Sequence, residues 1–232
     1  MYNKYIRTEG KMDMKGVLDF LSGLKNNNNK EWFDKNRAVY NEAKDFFEKF
    51  VNILILELKK IDKSIDITDA KECVFRIFRD VRFSKNKSPY KSNFGAYIKK
   101  GGRKSIYPGY YIHIEPADSF IAGGIYMPEP SVLKAVRERI VSKTDEFKAI
   151  FNSDQFKKNF SGLYDEKLKT APRGFPKDFP DVDLLKYKHY IVSKPVDDEF
   201  WFSVDVIRNI NTIFRAQFPL NQFLNAAMKD KN

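Results

Sequence analysis

Arg76, Arg79 and Arg82 recur at every third position ahead of Lys85, Lys87 and Lys91, with the hydroxyls of Ser84, Ser88 and Tyr90 among them. Guanidinium groups present planar, paired N–H donors that match phosphate or carboxylate oxygens two at a time, and ammonium groups add point charges. The chemistry on offer is capture of an oxyanion. Asp80 is the one acid in the stretch and can brace one guanidinium while leaving the others to a ligand. The candidate ligand-binding set is therefore Arg76, Arg79, Asp80, Arg82, Lys85, Lys87, Tyr90 and Lys91. So dense a positive field should favour tyrosinate and lower the pKa of Tyr90, which makes that residue a candidate acid or base. His113 and Glu115 alternate with Tyr111 on one face of a predicted strand and are the other catalytic candidates.

The charge distribution supports a local site. The chain of 232 residues carries a net charge of +11, and ten basic residues against one acid put +9 of it between Arg76 and Lys104. A local excess of this kind creates a field that collects anions. Other chemistries lack their residues. Two histidines, one cysteine and no HExxH or CxxC spacing leave no metal site, and no glycine loop of Walker or dinucleotide type appears, so no cofactor is expected. Cys73 sits at an apolar position and reads as a buried, inert thiol. No run approaches the roughly 18 apolar residues of a membrane helix, and the charged N-terminus is unlike a signal peptide. The expected setting is cytoplasmic, without a membrane partner.

The elements that must hold these residues follow from hydrophobic period. Residues 1–13 read as a flexible tail and 14–232 as a single α+β domain. Val17, Phe20, Leu21 and Leu24 mark a short amphipathic helix over 15–24. Phe33, Tyr40, Phe47, Leu54 and Ile61 recur every seven residues and predict one long helix from Lys30 to about Lys60, capped by Asn28 with Glu31. The period then changes. Residues 74–83 are rich in aromatic and β-branched types and read as a strand, although a helix would gather the three arginines on one flank. Strands at 94–99, 110–115 and 120–127 would complete an antiparallel β-meander of about four strands, with Gly123-Gly124 marking a bulge or a close backbone approach. A short strand follows at 187–192. Helices are predicted over 131–143, around 147–160, from Asp197 to about Phe214, and again from a first turn at Pro219. The fold class is α+β, the meander packed against the long N-terminal helix and C-terminal helices.

Arg76, Arg79, Asp80, Arg82, Phe83, Asn86, Lys87 and Tyr90 together resemble the signature of a bacterial and fungal family, domain of unknown function 2461. Glu31-Trp32-Phe33, Gly109-Tyr110-Tyr111 and Pro172-Arg173-Gly174-Phe175 extend the likeness over most of the chain from about Lys15. The resemblance implies no reaction, ligand or partner, because the family has no assigned activity. Asn86 stands where many members carry Asp.

Three readings remain open. The first is a pocket for a small anionic, phosphate-bearing ligand, either a binding site or an enzyme of phosphoester or nucleotide chemistry. The second is a nucleic-acid-binding module with Tyr90, Tyr97, Tyr107 or Tyr110 stacking on bases and Lys99 and Lys100 on phosphates. The third is an interaction protein with an acidic partner. All three rest on guanidinium groups converging in one concave recess, and fall if Arg76, Arg79 and Arg82 splay apart with each tied to an internal carboxylate and no cavity between them.

Overall fold

The computed structural model describes residues 12–229; most of the tail expected at 1–13 lies outside them. Asp13, inside that expected tail, already caps the first helix by accepting the Gly16 amide at 2.8 Å. This helix, α1 (Met14–Asn26), buries Val17, Phe20, Leu21 and Leu24. The run of four asparagines then turns the chain. Asn29 rather than Asn28 caps α2 (Lys30–Lys35), accepting the Trp32 amide at 2.9 Å. The long helix expected from Lys30 is also interrupted at Asn36, whose side chain donates to the Trp32 carbonyl at 2.9 Å, so α3 (Arg37–Ile61) is a separate helix. Its stripe of Tyr40, Phe47, Phe50, Leu54 and Leu58 lies against the core.

Four antiparallel strands form the sheet in the order β1 (Phe94–Lys99), β2 (Gly109–Ile114), β3 (Ser119–Ile125), β4 (Tyr190–Val196). One face, with Phe94, Ile98, Tyr110, Ile112 and Ile121, is buried. The helices α4 (Pro130–Ser142), α5 (Thr144–Asn152), α6 (Asp154–Asn159) and α7 (Val182–Leu185) precede β4, and α8 (Asp198–Phe202) and α9 (Val206–Lys229) follow it. Helix α9 approaches the sheet so closely at Gly123 that a Cβ there would lie 1.6 Å from Gln217 Nε2. That nitrogen donates instead to the Gly109 carbonyl at 2.9 Å. Pro219 does not begin a helix; it lies inside α9. Losing one amide costs about 3 kcal/mol, whereas fully burying Leu220, Phe223 and Leu224 on the same stripe contributes about 1.5–3 kcal/mol each.

The fourth strand of the sheet is 190–196, not 74–83. Two Asx turns explain the difference. The Asp80 carboxylate accepts the Arg82 amide at 3.3 Å, and the Asn86 side-chain oxygen accepts the Ser88 amide at 2.9 Å, bending the chain twice within nine residues. Among the described residues the stretch Cys73 to Phe75 pairs along the outer edge of β1: Phe75 N–H donates to Gly95 O at 2.9 Å, and Tyr97 N–H to Cys73 O at 3.0 Å. Beyond them, residues 77–91 fold back on themselves through Arg79 N–H to Pro89 O at 2.9 Å and Lys91 N–H to Ile77 O at 2.8 Å. At the other side of the sheet Tyr164 N–H donates to Ile191 O at 2.9 Å. Cys73 is buried, and burial pushes its thiol up to about 12. No helix among the described residues is long and apolar enough to cross a membrane.

Candidate functional site

The folded-back arm of residues 77–91 is pinned to the N-terminal helices through Tyr90. Asn28 donates from Nδ2 to the Tyr90 carbonyl at 3.0 Å and accepts the Tyr90 amide on Oδ1 at 3.1 Å. The Tyr90 ring stacks on Phe33 with centroids 4.0 Å apart. Between the arm, the α1–α2 turn and the start of β1 lies a recess of about 380 Å³, lined by Lys25, Asn28, Arg79, Asn86, Ser88, Tyr90, Lys91, Ser92 and Asn93. Among the described residues no carboxylate lines it.

Arg79 is half-buried there and donates long hydrogen bonds to Ser88 O at 3.3 Å and Ser84 Oγ at 3.4 Å. A guanidinium has five donors, so most of its capacity is unused. Lys91 is also half-buried, with its ammonium 5.2 Å from the Phe75 ring centroid. No carboxylate among the described residues pairs with either cation. Burial, then the charges of Arg76 and Arg103, push the Lys91 pKa down.

A hydrogen-bonded chain lies behind one wall. Ser92 donates to Glu115 Oε1 at 2.7 Å, and Lys25 lies 3.4 Å from the same oxygen. Glu115 Oε2 lies 3.1 Å from His113 Nε2, and His113 Nδ1 lies 2.9 Å from the Tyr111 hydroxyl. The imidazole is thereby held between the Tyr111 hydroxyl and the Glu115 carboxylate. Tyr111 can lie over β1 because Gly95 is there; a Cβ at that position would sit 2.6 Å from the Tyr111 oxygen. Burial works to raise the Glu115 carboxyl, but the hydrogen bonds from Ser92 and His113, with the charges of His113 and Lys25, hold it below its ordinary value. The result is a hydroxyl at the recess wall whose proton is already directed at a carboxylate.

The predicted site residues divide. Arg79, Tyr90 and Lys91 share the recess, with His113 and Glu115 behind it. Arg76 opens instead into a separate hollow of about 190 Å³ that it lines with Phe75, Phe78 and Arg103. Arg82 is exposed and bound bidentately by Asp80 at 3.0 and 2.7 Å. Lys85 lies exposed on the arm, and Lys87 donates to the Val81 carbonyl at 3.1 Å; neither lines the recess. The three arginines therefore splay apart, because the Asx turn at Asp80 rotates Arg82 away. The Tyr90 expectation is reversed too. Burial against Phe33 raises its pKa, and Asp34 adds to the effect, so no tyrosinate is favoured.

The rings suggested for base stacking are engaged elsewhere. Tyr90 is covered by Phe33, Tyr97 donates to Gly124 O at 2.6 Å, Tyr110 is buried with its hydroxyl donating to Asp62 at 2.9 Å, and Lys100 lies over Tyr107. Lys99 is buried and donates to Ser105 O at 2.6 Å. The most exposed ring among the described residues is Phe83, at 95%. Sequence reading missed Lys25, Asn28, Ser92 and Asn93 as lining residues. Asn28 meets Tyr90 across 62 positions, a contact with no local signal; Ser92 and Asn93 could have been suspected only from their place at the mouth of a strand.

Among the described residues no group of three or more His, Cys, Asp or Glu is placed to hold a metal. No curated protein and no solved structure matches the chain. One family profile does, that of a conserved hypothetical protein, and it covers residues 16–223, taking in the arm, the recess and the sheet. The Asn86 contact bears on the signature, since the turn asks that side chain only for an acceptor oxygen, which Asp supplies equally. By the extent of that match the chain belongs to the family of domain of unknown function 2461.

Proposed function

We propose that the protein binds a small phosphate-bearing anion in the recess between the arm and the α1–α2 turn, with Arg79 and Lys91 as its charged ligands. The observation that carries this reading is the pair of half-buried cations facing one cavity that no carboxylate among the described residues lines. Partial desolvation without a counter-ion is unfavourable for both, and a bound oxyanion removes that penalty. Lys25 adds positive charge, and Asn28, Ser88, Ser92 and Asn93 add polar groups around the same opening. Phosphoester chemistry in this site would draw on the Ser92 hydroxyl, whose proton faces Glu115.

Thermal unfolding in 10 mM inorganic pyrophosphate, against chloride of equal ionic strength, tests the reading. A dissociation constant of about 0.1 mM would add about 2.7 kcal/mol, or about 5–10 °C in Tm for a chain of this size. Arg79→Ala should abolish the shift. An equal shift in that variant refutes the site.

A nucleic-acid strand is the second reading, favoured by Phe83, a fully presented ring flanked by Arg82 and Lys85 on the arm. Counterion release would then give oligonucleotide binding a steep salt dependence that Phe83→Ala weakens. A recess ligand would respond little to either change.

A further inference from the structure

A third cavity, away from the arm, lies where α6, β4 and α8 meet α9. Its volume is about 600 Å³, within the range of small-molecule sites. Among the described residues three cations line it, Lys158, Lys194 and Arg215, and no carboxylate does. Lys194 is half-buried and donates to the Asn159 side-chain oxygen at 3.0 Å, so the partner holding its ammonium is a neutral amide. No carboxylate among the described residues pairs with any of the three. The remaining wall differs from that of the arm recess. Phe200 and Ile213 give it an apolar side, and Asn209 and Gln155 bring amides to it.

We propose that this cavity is a second binding site, for a small organic anion that joins a phosphate to a flat, largely apolar body, a nucleoside monophosphate being the fitting class. The cations supply a pole for a phosphate dianion, with Arg215 able to grip two oxygens together. Phe200 supplies a ring face for a base, and the amides supply donors and acceptors for its edge and for the sugar. Inorganic phosphate would use only one side of such a cavity. The arm recess has no exposed ring in its lining, so the two sites should separate by ligand.

Calorimetric titration of the wild-type chain with AMP, adenosine and inorganic phosphate, together with amide chemical-shift mapping by NMR, tests the assignment. AMP should bind at least tenfold more tightly than either fragment and shift the amides of residues 155–159, 194 and 209–215. Lys194→Met and Arg215→Gln should each weaken the AMP-dependent shifts of residues 155–159, 194 and 209–215 at least tenfold, while Lys134→Ala, an exposed cation on α4, leaves them unchanged. Shifts confined to residues 79–93, phosphate shifting residues 155–159, 194 and 209–215 as tightly as AMP, or no saturation of those shifts by 10 mM AMP would each overturn the proposal. The mapping needs no variant, so a misfolded substitution cannot rescue it. Failure of the arm recess would appear separately, as a pyrophosphate response insensitive to Arg79→Ala.

Discussion

Asn28 joins the N-terminal helices to the arm by two hydrogen bonds to the backbone of one residue, and removing it should be felt twice. Each bond is partly buried, at 3.0 and 3.1 Å. A net contribution of about 0.5–1.5 kcal/mol per bond predicts that Asn28→Ala costs about 1–3 kcal/mol. Asn28→Asp separates stability from binding. It keeps the acceptor for the Tyr90 amide and loses the donor to the Tyr90 carbonyl, so its stability loss should be about half as large. It also places a negative charge on the wall of the arm recess. By Coulomb's law, over about 8 Å with an effective dielectric between about 20 and 80, that charge opposes each negative charge of the bound anion by about 0.5–2 kcal/mol. Urea unfolding gives the stability of the three proteins, and pyrophosphate titration gives their affinities. Wild-type stability in Asn28→Ala, or tighter pyrophosphate binding in Asn28→Asp, would refute the arrangement.

Two further expectations concern pH. Burial lowers the pKa of Lys99 to about 8 in the fold. The unfolded chain therefore holds more protons between about pH 8 and 10, and stability should rise with pH across that window; urea midpoints at pH 7.5 and 9.5 should show the rise in wild type and its loss in Lys99→Met. Glu115 is held below its ordinary value, so its contribution is complete above the unfolded pKa and is lost as pH falls through the folded one. Melting curves from pH 6 to 3 should accordingly fall less steeply in Glu115→Gln, and parallel curves would contradict the Ser92 and His113 contacts.

The helices were legible wherever a stripe was long. Val17 to Leu24 and Tyr40 to Leu58 repeat with helical period, and burial follows that period residue by residue. Capping was less legible, because any of four consecutive asparagines can accept an amide and only the approach of Tyr90 decides that Asn28 faces the arm while Asn29 caps. Composition favoured a strand at 74–83, but Asp80 and Asn86 bend the chain through local side-chain contacts that outweigh β propensity. That error carried over to the site. Arginines placed along a straight strand would keep a fixed relation, whereas the turn separates Arg82 from Arg79 and leaves Arg76 beside a different hollow. The charge excess falls on the arm that borders the recess; the partners from α1 and the start of β1 arrive through tertiary contacts that periodicity cannot encode.

The pairing of Cys73 and Phe75 with β1 carries a consequence for solubility. An outermost strand with unmet amides and carbonyls is a template on which foreign strands can grow. Here three residues at the root of the arm act as a short lid on that template, while Tyr164 touches the opposite border at Ile191. Anchoring the arm and shielding the sheet are thus one mechanical event. Whatever steadies the arm also guards the chain against adding strands of its own kind, and whatever frees it invites them.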